Sequence, residues 1–163
     1  EGYVQFSKGD DYFKVKEVWL SPEWAVSNGR AGDIALILLE TPVESIEPIE
    51  LASNVNYLPR YASRLYTVGC SLGYKKQSLP EVFYYYGTLT TSPYCLQLRS
   101  NRTVIWHGDS GGAVFYKDCL GDTYLVGVIA SYSRFQDVVV DFTAMDVRAY
   151  FTQIKDKLGE WKG

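Results

Sequence analysis

Apolar positions along this chain come in short bursts separated by glycine, proline and polar clusters, a pattern of many brief β-strands rather than long helices. Phe13, Val15, Val18 and Leu20 carry the first burst; they alternate with one break and predict a strand over 12–20. Ser21-Pro22-Glu23-Trp24 predicts a turn, and Ser27-Asn28-Gly29-Arg30-Ala31-Gly32 a loop by composition. After Asp33, the apolar run Ile34 to Leu39 predicts a buried strand, which Thr41-Pro42 ends because proline cannot donate into a ladder. Residues 42–64 hold Pro48, Pro59 and scattered polar positions, and read as a connector with one apolar patch at Ile49 and Leu51.

A second group of strands starts at Arg64-Leu65-Tyr66-Thr67-Val68 and breaks at Gly69-Cys70-Ser71-Leu72-Gly73. Val82–Tyr86 and Gly87–Thr91 follow as two strands on aromatic and β-branched content. Ala113–Tyr116 and Thr123–Ser131 predict a hairpin across 117–122, and Val138–Phe142 a further strand. From Asp146 the period changes. Val147, Tyr150, Phe151, Ile154 and Leu158 fall on one helical face, with Asp146 as the expected N-cap. The expected class is all-β, an antiparallel barrel architecture closed by one C-terminal α-helix.

Composition narrows the functions. At 163 residues the chain has room for one domain or a pair of small barrels. Its 47% apolar and 21% charged residues are those of a folded protein. A net charge of −3 removes the electrostatic footprint of a nucleic-acid binder. The run Ile34 to Leu39 is far too short to span a membrane. Glu1-Gly2-Tyr3 does not read as an initiation site or a signal peptide, so a processed or trimmed chain is expected. Three cysteines are too few for a disulfide scaffold, and their odd number leaves at least one unpaired within the chain. With no CxxC pair and one histidine, neither a metal nor another cofactor is expected. Asn101-Arg102-Thr103 matches a glycosylation acceptor, a triplet that also arises often by chance.

The chemistry concentrates in His107-Gly108-Asp109-Ser110-Gly111-Gly112, which runs straight into the apolar strand at Ala113. Gly108 and Gly111 can adopt positive φ, and successive amides in such a turn can form a concavity for a negative oxygen. This predicts a serine-centred acyl-transfer site; the plain alternative is a glycine-rich hairpin turn. An esterase of the α/β-hydrolase type ranks last. Gly108 and Gly112 do bracket Ser110 as Gly-x-Ser-x-Gly requires, but a strand follows instead of a helix.

Gly108-Asp109-Ser110-Gly111-Gly112 resembles the nucleophile motif of the chymotrypsin-like (trypsin-fold) serine peptidases, and Leu125–Ser131 the strand after it. Gly32-Asp33-Ile34-Ala35-Leu36 resembles that family's aspartate motif, Thr41-Pro42-Val43 the segment that closes it, and Phe142-Thr143 with the helix from Asp146 its C-terminal end. The resemblance implies a double antiparallel β-barrel of chymotrypsin type, with the first barrel incomplete and a C-terminal α-helix. Its parts would be 1–43 for the remainder of the N-terminal barrel, 44–64 for the connector, 65–143 for the C-terminal barrel and 144–163 for the helix. Asp33 precedes Ser110 by 77 residues, against roughly 90 in the family template, whose histidine lies roughly 45 residues before its aspartate. Only 32 residues precede Asp33. The catalytic histidine is therefore expected outside this chain, in an N-terminal segment of the same protease or in a separate chain after nicking.

The resemblance assigns the roles. Ser110 is the nucleophile, the N–H groups of Gly108 and Ser110 form the oxyanion hole, and Asp33 orients the absent histidine. His107 shares the loop with Ser110, so it is expected at the rim of the substrate pocket and not as the base. Val104 would form the pocket floor, Val140 its wall, and Ser131, Tyr132 and Ser133 the substrate-binding edge. With no carboxylate at the floor, an uncharged apolar side chain is expected before the scissile bond. Asp109 is expected to be structural; in the family this carboxylate often pairs with the amine freed by zymogen cleavage. Cys95 and Cys119 lack their usual disulfide partners, Trp106 replaces a customary cysteine, and the surroundings of Cys70 resemble the simpler bacterial members. The chain is thus expected to be a serine endopeptidase acting on protein or peptide substrates. Neither nucleic acid nor a membrane span enters, and a secreted or periplasmic location is favoured over the cytoplasm. The competing reading is a catalytically inactive trypsin-fold binding protein, against which the retained Ser110, Asp33 and loop glycines argue.

Overall fold

The computed structural model describes residues 2–6, 12–27, 31–53, 63–67, 81–89, 92–100, 108–135 and 139–163. Ten strands and two helices occupy these residues. They are β1 (Tyr3–Gln5), β2 (Tyr12–Leu20), α1 (Pro22–Val26), β3 (Ala35–Leu39), β4 (Glu50–Leu51), β5 (Ser63–Thr67), β6 (Glu81–Leu89), β7 (Ser92–Ser100), β8 (Ala113–Lys117), β9 (Thr123–Phe135), β10 (Val139–Asp146) and α2 (Phe151–Lys162). The class is all-β with a C-terminal helix, as the alternation predicts. Two units divide the chain: Glu1–Pro48 with Ile154–Gly163, and Ile49–Gln153. Among the described residues no helix is long and apolar enough to cross a membrane.

In the larger unit the six strands β5 to β10 close on themselves in the order β5-β6-β7-β10-β9-β8, each antiparallel to its neighbours. Closure is how an all-β fold removes exposed sheet edges. β4 joins the start of β9 in parallel, which gives the Ile49–Leu51 patch of the connector a place beside the barrel. Period-two alternation fills the interior: on β7, Leu96 and Leu98 are fully buried while Arg99 is exposed. Leu65, Val114, Val126 and Phe142 complete the same core.

Gly127 is buried on β9 with little room for a side chain. A Cβ there would lie 3.1 Å from the Ala144 Cβ, 3.3 Å from Leu96 Cδ1 and 3.3 Å from the Met145 carbonyl oxygen. Gly127→Ala is therefore expected to lower stability by about 1–3 kcal/mol through overpacking. Denaturant unfolding checks this, and an unchanged midpoint would show that the strands part freely.

The second barrel departs from the sequence reading in three places. Val82–Tyr86 and Gly87–Thr91 are one strand, β6, carried through Gly87 by a register shift against β7; a bulge absorbs the glycine instead of ending the strand. β7 itself was signalled by the alternation of Leu96 and Leu98, in a stretch given no element above. The helix begins at Phe151, not at Asp146, which closes β10 opposite Gly127. The Asp146 carboxylate accepts from the Arg148 amide at 3.0 Å and takes its guanidinium in a forked pair at 2.9 and 2.6 Å. That pair holds residues 147–150 in turns, and the apolar stripe survives them: Val147, Tyr150 and Ile154 are buried.

In the smaller unit β1, β2 and β3 form a three-stranded antiparallel sheet. The break in the β2 pattern is a register shift between Val15 and Glu17. The run Ile34–Leu39, read from sequence as a buried strand, is corrected in part. Ile34 is buried before the strand begins, but Ile37 is 51% exposed. Its register partner Val18 is 52% exposed, so the pleat brings both to one open face. The predicted turn at Ser21 is the short helix α1, with Ser21 as N-cap, Pro22 in the first turn and Glu23 acidic beside it. Midway along α2, Lys157 Nζ lies 3.1 Å from Glu17 of β2 and 3.1 Å from Glu160. The Trp161 indole, and then Lys157, hold the Glu17 carboxyl below the ordinary carboxylate range.

Candidate active site

Residues 109–112 form a β-turn in which the Gly112 N–H donates to the Asp109 carbonyl at 2.9 Å. Gly111, in the third position, has φ of 83°, and Gly108 just before the turn has φ of 99°. Both were singled out from sequence as positions that need this freedom. Gly112 is required for a different reason, since a Cβ there would stand 2.8 Å from the Asp109 carbonyl oxygen.

The turn is sewn to β9 by two main-chain bonds, Gly111 N–H to the Ile129 carbonyl at 2.8 Å and Ile129 N–H to the Gly112 carbonyl at 2.9 Å. Three bonds thus use both amides after Ser110. Among the described residues the amides of Gly108 and Ser110 enter no backbone hydrogen bond. Gly108, Ser110 and Gly111 are exposed while Asp109 is buried, so the turn turns the carboxyl inward and the serine outward. β8 follows at once, not a helix, which removes the α/β-hydrolase elbow.

Beyond the turn, β9 runs on past its pairing with β8 among the described residues. The β8–β9 register ends at Ala113↔Val128, whereas Ser131 to Phe135 continue to pair with β10 on the opposite edge. Among the described residues nothing pairs with that stretch on the β8 side. Ser131 is exposed, and its hydroxyl lies 2.6 Å from that of Thr143. Register sets Tyr132 opposite Phe142, Ser133 opposite Asp141 and Val140 opposite Arg134. Val104, His107 and Cys70 lie outside the described residues.

Asp33 belongs to the smaller unit. The Ile34 N–H donates to the Gly32 carbonyl at 2.7 Å, which makes Asp33 the centre of a γ-turn at the entrance to β3. Ser21 anchors that turn: its hydroxyl donates to the same carbonyl at 2.6 Å, and its N–H donates to Ile34 O at 3.2 Å. The Ser21 oxygen also accepts from Trp24 N–H at 3.2 Å, so one buried serine caps α1 and fixes the turn. Gly32 has φ of 70°, and a Cβ on it would overlap the Ser21 hydroxyl. The Asp33 side chain is left exposed. Sequence reasoning missed Ser21, although a serine followed by proline and glutamate is a helix-start signal.

No disulfide joins the described cysteines: Cys119 is exposed on the 117–122 hairpin, and the Cys95 thiol lies 3.6 Å from the Met145 sulfur. The family model described as Trypsin matches residues 3–137 of the chain. A search of curated proteins finds no match.

Proposed function

Because the chain belongs to the trypsin family, we propose that it is a serine endopeptidase that cleaves peptide bonds through Ser110. The Ser110 hydroxyl attacks the scissile carbonyl while an imidazole, supplied by polypeptide outside this chain, takes its proton. The amides of Gly108 and Ser110 stabilise the negative oxygen that forms. The protonated imidazole then gives its proton to the leaving amine, and water hydrolyses the acyl-serine by the same steps. Asp33 holds the imidazole in the required tautomer and favours its charged form. His107, three positions before Ser110 in the sequence, is assigned to the rim of the site and not to the role of base.

The observation that carries this reading is the division of labour among the turn amides. Those of Gly111 and Gly112 are bound in the turn and to β9, and those of Gly108 and Ser110 enter no backbone hydrogen bond among the described residues, beside an exposed serine. A buried structural turn would spend them all. The edge of β9 at Ser131, Tyr132 and Ser133, which pairs with nothing on the β8 side among the described residues, suits an extended substrate added as a further strand. The assignment of Val104 to the pocket floor and Val140 to its wall, which rests on the family resemblance, favours an uncharged apolar side chain before the cleaved bond. A secreted or periplasmic location accords with the family.

Hydrolysis of a peptide library tests the proposal. The longer encoded protein, bearing the histidine segment, is expected to cleave after apolar residues, and residues 1–163 alone to be inert. Cleavage dominated by basic residues would overturn the pocket assignment. No cleavage by the longer protein would leave a barrel used for binding alone.

A further inference from the structure

Among the described residues, the turn that carries Ser110 is held towards β9 by main-chain bonds and towards β5 by a side chain. Towards β9 it is fixed by the paired Gly111, Gly112 and Ile129 bonds. Towards β5 the described register ends at Thr67↔Val114. One residue past that pair, the Ala113 carbonyl accepts a 2.6 Å hydrogen bond from the Thr67 hydroxyl. We propose that Thr67 is a positioning residue, a side-chain clamp that fixes the exit of the Ser110 turn from the β5 side. Its catalytic consequence rests on the reading of Ser110 as nucleophile.

Three features support the clamp. Thr67 is 3% exposed, so its hydroxyl has no solvent to fall back on, and a buried hydroxyl is costly without a partner. It is β-branched, which stiffens χ1 and keeps the oxygen aimed at one acceptor. The bond also joins residues 46 apart in sequence, at a point three residues beyond Ser110. Valine has the same shape without the donor, and serine has the donor without the methyl group. Each half of the side chain can therefore be tested alone.

The test uses Thr67→Val and Thr67→Ser in the full chain, with amide hydrogen exchange read residue by residue. Thr67→Val is expected to speed exchange at Gly111 and Gly112 about tenfold, with Leu96 and Phe142 unchanged, because local openings need not involve the whole barrel. Thr67→Ser is expected to restore protection. Unchanged protection in Thr67→Val, or a loss spread evenly over the barrel, overturns the clamp. So does a Thr67→Val protein that does not fold, which would make the hydroxyl structural.

A second arm follows Ser110 modification by a fluorophosphonate in the histidine-bearing protein. Thr67→Val should lower the rate of modification about tenfold at unchanged probe affinity, since misplacing a reacting group by about 1 Å can cost 10²-fold, and Thr67→Ser should recover it. Equal rates in Thr67→Val and the unaltered protein overturn the positioning role. If the unaltered protein is not modified, the protease reading falls, and exchange alone decides the clamp.

Discussion

Ser110→Ala in the histidine-bearing protein is expected to lower kcat by about 10⁶, the scale on which loss of a triad nucleophile falls in serine proteases. The fold should not notice. Ser110 is exposed in its turn, and among the described residues the bonds that close that turn are made by the main chain of Asp109, Gly111, Gly112 and Ile129. Removing an exposed hydroxyl away from caps and core changes stability by less than about 0.5 kcal/mol. The pair of readings is what gives the experiment force. Thermal unfolding should superimpose on that of the unaltered protein while turnover disappears. A parallel loss of stability would instead mark Ser110 as a turn residue, and full activity in the variant would exclude it as the nucleophile.

Asp33→Asn is expected to lower kcat by about 10⁴, with KM little changed, the loss reached in the family template when this aspartate becomes an amide. Asparagine keeps the shape but can offer an N–H where the imidazole needs an acceptor, so the ring is held in the wrong tautomer. The local structure should survive, because the γ-turn is fixed by Gly32, Ile34 and Ser21, not by the carboxylate. Asp33 is exposed, so the exchange to an amide removes no buried charge. Steady-state kinetics with a peptide substrate check the split. A rise in KM with kcat intact would make Asp33 a binding group.

Much of the barrel was legible because period-two alternation is local and barrel interiors enforce it. The hairpin of β8 and β9 and the strand β5 are examples. The misses have identifiable causes. Gly87 reads as punctuation, yet its bulge is decided by the pairing of β6 with β7, which no local window contains. Asp146 carries an N-cap side chain, but its carboxylate goes to Arg148, so the helix starts five residues later. The apolar run of β3 looks buried because sequence records side-chain polarity and not what covers it, and Ile37 faces outward with Val18. Around the site, the glycines were readable from the strained backbone a serine turn demands. Ser21 and Thr67 were not, since each acts through one hydroxyl on a carbonyl distant in sequence, 11 and 46 residues away.

The central claim is that an exposed serine, on a turn whose Gly108 and Ser110 amides enter no backbone hydrogen bond among the described residues, is activated by a base from polypeptide beyond residues 1–163. Mass mapping of the histidine-bearing protein after fluorophosphonate treatment tests it most directly. The account predicts one adduct, on Ser110, that does not form on residues 1–163 alone. Absence of any adduct, or an adduct on another residue, would contradict it.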